Sequence, residues 1–134
     1  NHRIGGEYGS IGVNLWITSR PWNNDDNYVR NRKRFKEPGE MPMFGDCCAI
    51  QALPHWSNSP PVYYGDPPLA RGRDGQMMRF AIDRHQGRIN LVFMDGSVRS
   101  VAVKQLWNLK WHMTWNTAER PMNWPEFMKS WPDK

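Results

Sequence analysis

Apolar residues recur at every second position in Ile11, Val13, Leu15 and Ile17, the period of a strand with one buried face. Residues 41–46 form a short apolar stretch that predicts a buried strand ending at Gly45-Asp46, and residues 77–82 are apolar enough for another. The clearest pattern runs over residues 88–103. With Asp95-Gly96 as a two-residue loop, Met94 faces Ser97, Phe93 faces Val98, Leu91 faces Ser100 and Ile89 faces Ala102. One face then carries Ile89, Leu91, Phe93, Val98 and Ala102, and the other Asn90, Val92, Met94, Ser97, Arg99 and Val101. Asp-Gly suits a type I′ turn, which requires positive φ at both central residues.

Between these segments the pattern breaks. Residues 20–40 are polar, with Asn23-Asn24-Asp25-Asp26-Asn27 followed by a basic run, and predict an excursion from the sheet. Residues 52–68 hold five prolines, which excludes a regular central strand and predicts a loop held by Trp56, Tyr63 and Tyr64. Residues 104–115 place Trp107, Trp111 and Trp115 at i, i+4 and i+8, the spacing of one helix face, and predict a short helix packed on the sheet. In the tail, Pro121, Pro125 and Pro132 interrupt Trp124, Phe127 and Trp131, which predicts an irregular wrap anchored by aromatics. No internal repeat is evident.

The 134 residues fit a single domain. A mean hydropathy of −0.79 and 11 residues each of Gly and Pro describe a polar, loop-rich chain, and eight Trp supply much of its apolar area. Eighteen Lys and Arg against 13 acids leave a net charge of +5, which permits a polyanionic partner without selecting one. Cys47 and Cys48 are adjacent, a spacing that suits neither an ordinary disulfide nor a zinc or haem site. No run of about 18 apolar residues is present for a transmembrane helix.

Four segments together carry a family resemblance. His85 is followed by nine residues and then Asp95-Gly96, with Asn90 and Phe93 between them, which resembles the processing-associated H-X9-DG signature of bacterial type II secretion pseudopilins. Leu106-Trp107-Asn108-Leu109-Lys110-Trp111-His112 is similar to that family's "LW.LKWH" ending. Gly12-Val13-Asn14-Leu15-Trp16 resembles its "YG.N.W" segment, and Pro42-Met43-Phe44-Gly45-Asp46 its "P...D" strand. The likeness covers about residues 8–112 and leaves 113–134 as an aromatic and proline-rich tail.

The resemblance implies an α+β fold: a pilin-like head with a small antiparallel sheet, long ordered loops and a short Trp-bearing helix after the main hairpin. It implies a structural subunit of a pilus-like or pseudopilus-like filament, outside the bacterial cell or in the periplasm, assembled with copies of itself and without enzymatic activity. Family members carry a leader and a long hydrophobic N-terminal helix, which these residues lack. If they are the whole chain, a second polypeptide is expected to supply the helix, and membrane contact would come only through it. His85, Asn90, Asp95, Gly96, Trp107, Lys110, Trp111 and His112 are the motif residues, with architectural roles.

The remaining chemistry is sparse. His85 and Asp95 invite an acid–base reading, but no nucleophile or oxyanion motif accompanies them. Asp25 and Asp26 sit in a dense cluster of oxygen donors and are the candidate ligands for Ca2+. Asp46, Asp66, Asp74, Asp83 and Asp95 are scattered and lack the D-x-D-x-D-G order of a calcium loop. No other cofactor is expected. Arg30, Arg32, Lys33, Arg34 and Lys36 form a basic run that on a filament would meet an acidic neighbour, or would contact a polyanion without sequence specificity. A carbohydrate-binding surface of exposed Trp and Tyr is the other alternative.

Overall fold

The computed structural model describes residues 11–18, 26–29, 31–62, 75–119, 121 and 123–134. Five strands form one sheet: β1 Ile11–Asn14, β2 Pro42–Asp46, β3 Gln51–Ala52, β4 Arg88–Phe93 and β5 Val98–Ala102, in the spatial order β3-β1-β2-β4-β5. The pairings β1–β2, β2–β4 and β4–β5 are antiparallel, while β3 joins the edge parallel to β1, so the sheet is mixed. Short 3-10 helices and one α-helical turn, α1 Glu126–Lys129, complete a small α+β fold.

The alternation at residues 11–17 yields a shorter strand with the opposite face inward. Asn14 ends β1, because its side chain accepts the Trp16 N–H at 3.2 Å and caps a 3-10 helix at Leu15–Ile17. Ile11 is 68% exposed, whereas Gly12 and Asn14 point into the main core. Glycine is required there: a Cβ on Gly12 would sit 2.5 Å from the Ala49 carbonyl oxygen and 2.6 Å from Cys47 Sγ. Gly45 meets the same constraint on the next strand, where a Cβ would lie 2.3 Å from Leu91 Cδ2.

The hairpin forms, with a register one residue away from the expected one. Leu91 pairs with Arg99 and Ile89 with Val101. The Gly96 N–H donates to the Phe93 carbonyl, and the Phe93 N–H donates to Ser97 O, both at 2.9 Å. Gly96 has φ +85, while Asp95 is not among the residues of positive φ. The loop is therefore the three-residue form, a turn over Met94-Asp95 closed by a left-handed glycine, and not the two-residue type I′ form. That slip leaves the inward face of β4 as expected (Ile89, Leu91, Phe93) and reverses β5. Val98 consequently stands 67% exposed, and the Arg99 guanidinium lies over the Phe93 ring, 3.7 Å from its centroid.

Two further elements differ from expectation. Residues 77–82 hold a 3-10 helix, Met77–Arg79, and no strand, because the Phe80 and Ala81 N–H groups both turn back to Met77 O. After the hairpin the helix is also 3-10, Val103–Asn108, and carries Trp107 only. Leu109 is extended, and the Lys110 N–H bonds to Glu40 O instead of continuing a helix. All three tryptophans are nevertheless buried, at 0%, 0% and 8% exposure. The tail wraps as expected: Met128 is fully buried, and Phe127, Trp124 and Trp131 pack on the core. Within the 52–68 loop, Trp56 also packs on the core; Tyr63 and Tyr64 lie outside the described residues.

Ile89, Leu91 and Phe93 share the main core with Trp107, Trp111, Phe80, Met77, Leu106 and Met128. Strand register places Val13, Phe44, Val92 and Val98 in one row on the opposite face. Of that row Val13 joins a second, smaller cluster of Ile17, Val29 and Met41 with Phe35, Met43, Met94 and Met113.

Candidate functional site

The motif segments, far apart in sequence, converge on a few polar side chains. Asn14 is fully buried, and its amide bonds three partners. Nδ2 donates to Pro42 O and to Trp111 O, each at 2.8 Å, while Oδ1 accepts the Trp16 N–H. One side chain thus ties the segment at residues 12–16 to β2 and to the stretch carrying Lys110, Trp111 and His112. A buried amide with unmet bonds would be costly, so this arrangement specifies a single packing.

A second tie links β2 to the start of the hairpin. His85 Nε2 lies 3.2 Å from Asp46 Oδ2, and the same oxygen accepts the Asn90 N–H at 2.7 Å. Asp83 Oδ1 accepts the Gly87 N–H at 2.7 Å across a tight bend in which Gln86 (φ +56) and Gly87 (φ +77) are both left-handed. A Cβ on Gly87 would meet Pro132 Cδ at 2.8 Å and Trp131 Cβ at 2.9 Å, so the tail can lie on this bend only over glycine. His85 and Asp95 do not meet as a pair. Asp95 Oδ1 accepts the Ser97 N–H at 2.9 Å and the Ser97 hydroxyl at 2.6 Å, and these bonds hold its carboxyl below the usual carboxylate range. Gly96 has open space where a Cβ would go, so its backbone conformation alone calls for glycine.

The tryptophans use their ring N–H groups in the same architectural way. Trp107 Nε1 donates to Asn58 O and Trp111 Nε1 to Leu106 O, each at 2.7 Å, and Trp115 Nε1 donates to Trp107 O at 3.0 Å. Trp16 Nε1 donates to Pro54 O at 2.7 Å. Each large ring is fixed in orientation as well as buried. No stacking face for a sugar remains on Trp107, Trp111 or Trp115. His112 is 1% exposed, its ring set edge-on to Trp16 and Trp115 and stacked on His55. Lys110 pairs with Glu37.

Two residues that the sequence reading did not single out, Asn58 and Lys104, complete the frame with Asp46. Asn58 Oδ1 accepts the N–H groups of His55 and Met77, both at 3.0 Å, and so joins the proline-rich loop to the Met77 turn. Lys104, with a side chain only 5% exposed, donates to Lys129 O, Trp131 O and Asp133 Oδ1, holding the end of α1 and the tail. Asp46 was read as one of several scattered donors. The Ser57-Asn58-Ser59-Pro60 string marks a turn, but nothing in it announces which buried groups Asn58 serves.

Asp25 and Arg30 lie outside the described residues, as do Asp66 and Asp74. Asp26 is exposed, and among the described residues no group of three or more His, Cys, Asp or Glu side chains is placed to hold a metal ion. Burial pushes the Cys47 thiol up to about 12, which keeps it protonated and unreactive at neutral pH. Lys33 and Arg34 are exposed in a 3-10 helix, Arg32–Arg34, and Lys36 is exposed just beyond it. Among the described residues no helix is long and apolar enough to cross a membrane.

Fold and frame together define a small α+β domain whose recurrent polar residues hold strands and loops in place. Comparison with protein-family models, curated proteins and solved structures finds no match to the chain.

Proposed function

We propose that the chain is the globular head of a structural subunit in a pilus-like or type II secretion pseudopilus-like filament, located outside the bacterial cell or in the periplasm. The supporting observation is the convergence at Asn14. Three of the four segments that resemble the pseudopilin signature meet through one buried amide, and the fourth is tied to them through His85 and Asp46. Motif residues spent on holding a scaffold fit a subunit whose task is mechanical and not enzymatic. Copies of the same chain are the principal partners under this reading, and a hydrophobic helix anchors each head to the filament axis, carried on this chain or on another.

Electron microscopy of the native protein, purified under assembly conditions, tests this. Ordered polymers of uniform width are expected; monodisperse heads alone, across the conditions in which the native material is active, would overturn the reading. Intact mass of the native chain separates its two forms. A value near 15.8 kDa means that the helix belongs to another polypeptide, and a larger value places it on this one.

A further inference from the structure

The segment from Asn31 to Glu40 sorts its charges by direction. Its two acids turn toward the body of the domain: Glu37 pairs with Lys110, and Glu40 lies 3.9 Å from the Arg99 guanidinium, which also donates to Gly39 O. Phe35 packs against the cluster of Ile17, Val29 and Met41. The Asn31 side chain accepts the Lys33 N–H and its carbonyl accepts the Arg34 N–H, both at 3.0 Å, closing the 3-10 turn. Lys33, Arg34 and Lys36 are left pointing outward, and among the described residues none of them enters an ion pair. This is a knuckle bolted down by one aromatic and two carboxylates, with three exposed cations among four consecutive residues.

A partner for it must bring its own anions. Among the described carboxylates, Glu37, Glu40, Asp46, Glu126 and Asp133 are already in ion pairs within the chain. Asp83, Asp95 and Glu119 are bonded to Gly87, Ser97 and Asn116. A second copy offers the exposed Asp26, but its own net charge of +5 opposes approach to this knuckle. The three cations fall within four consecutive residues, a density that suits duplex DNA, which carries one phosphate charge per about 1.7 Å of its axis. With Phe35 turned inward and Tyr28 buried, the knuckle presents no ring on which an unpaired base could stack.

We propose that this knuckle docks on the phosphodiester backbone of double-stranded DNA, without sequence preference, through Lys33, Arg34 and Lys36. The proposal does not depend on filament formation, since a single head suffices. Three phosphate contacts give a slope of about −2.7 in log K against log salt, or an affinity loss of about 40-fold for a fourfold rise in salt.

The test is fluorescence anisotropy with a labelled DNA duplex and the full chain, across a salt series. The double variant K33E/K36E should bind at least about tenfold more weakly at low salt, with a flatter slope. The matched variant K129E/K134E changes net charge equally, from the tail, and should keep the slope of the original protein; circular dichroism confirms that both fold. Equal weakening of the two variants would overturn the proposal, because bulk charge alone would then explain binding. Tighter binding of a single strand of equal length, or of a polyuronate at equal charge, would also overturn it, and so would the absence of duplex binding at low salt.

Discussion

On one face of the sheet Ile89, Leu91 and Phe93 share a sealed core with Trp107, Trp111, Phe80 and Met128, all fully buried. The second cluster buries Ile17, Val29 and Met41, but Val13, Met43, Met94 and Phe35 are only partly covered, and Val98 at the end of the cross-strand row through Val13 is 67% exposed. The first side is aromatic and directional, since indole N–H groups end on Asn58 O, Leu106 O and Trp107 O. The second is filled largely by methionine and aliphatic side chains, which adapt to the available gap and impose little geometry. The main core therefore specifies the fold, whereas the smaller cluster chiefly anchors an excursion.

Substitutions on the two sides should separate sharply. Trp107→Ala is expected to cost about 3–5 kcal/mol, from the cavity and from an orphaned Asn58 carbonyl, read as a shift of the urea midpoint. Asn14→Ala should follow at about 2–3 kcal/mol, since Pro42 O, Trp111 O and the Trp16 N–H all lose their buried partner. Phe35→Ala, on the adaptable side, should cost only about 1 kcal/mol while loosening residues 31–36, visible as faster amide exchange there than in β4. A midpoint shift for Phe35→Ala as large as that for Trp107→Ala would erase the distinction.

The smallest effect is at the hairpin tip. The folded-state pKa of Asp95 is depressed, so its contribution is present above the unfolded carboxylate value and fades as pH falls below about 4. Asp95→Asn keeps an acceptor for Ser97 and should slightly flatten the acid side of the stability profile, leaving neutral pH almost unchanged. A large loss at pH 7 would mean that Asp95 does more than cap its own turn.

Several elements were legible in the residues. β2 falls where the apolar stretch predicted it, and β4 shows its expected inward face. Misreadings arose where polar side chains intervene. Asn14 halts a strand that alternation alone would extend, and the Met77 turn closes where an apolar run suggested an extended chain. At the hairpin, Asp-Gly signals a turn, but the loop length hangs on one backbone torsion, and a one-residue change reverses the faces of β5.

For the frame, the sequence supplied the members without the connections. Nothing in the spacing of Asn14, Pro42 and Trp111 shows that one amide bonds both carbonyls, since the separations are 28 and 97 residues. The Trp spacing at 107, 111 and 115 foretold burial of all three rings, but the helix that follows the hairpin holds only Trp107, and the indoles of Trp111 and Trp115 find carbonyl partners beyond it. Local pattern determined that β2 and β4 are extended, that the chain turns at Asp95-Gly96 and that the tryptophans at 107, 111 and 115 are buried, because these follow from side-chain size and backbone preference over a few residues. Tertiary structure alone decided the register of β5, the parallel edge strand β3, the three buried bonds of Asn14 and the inward turn of Glu37 and Glu40. Each of these depends on satisfying buried polar groups and charges with partners remote in sequence.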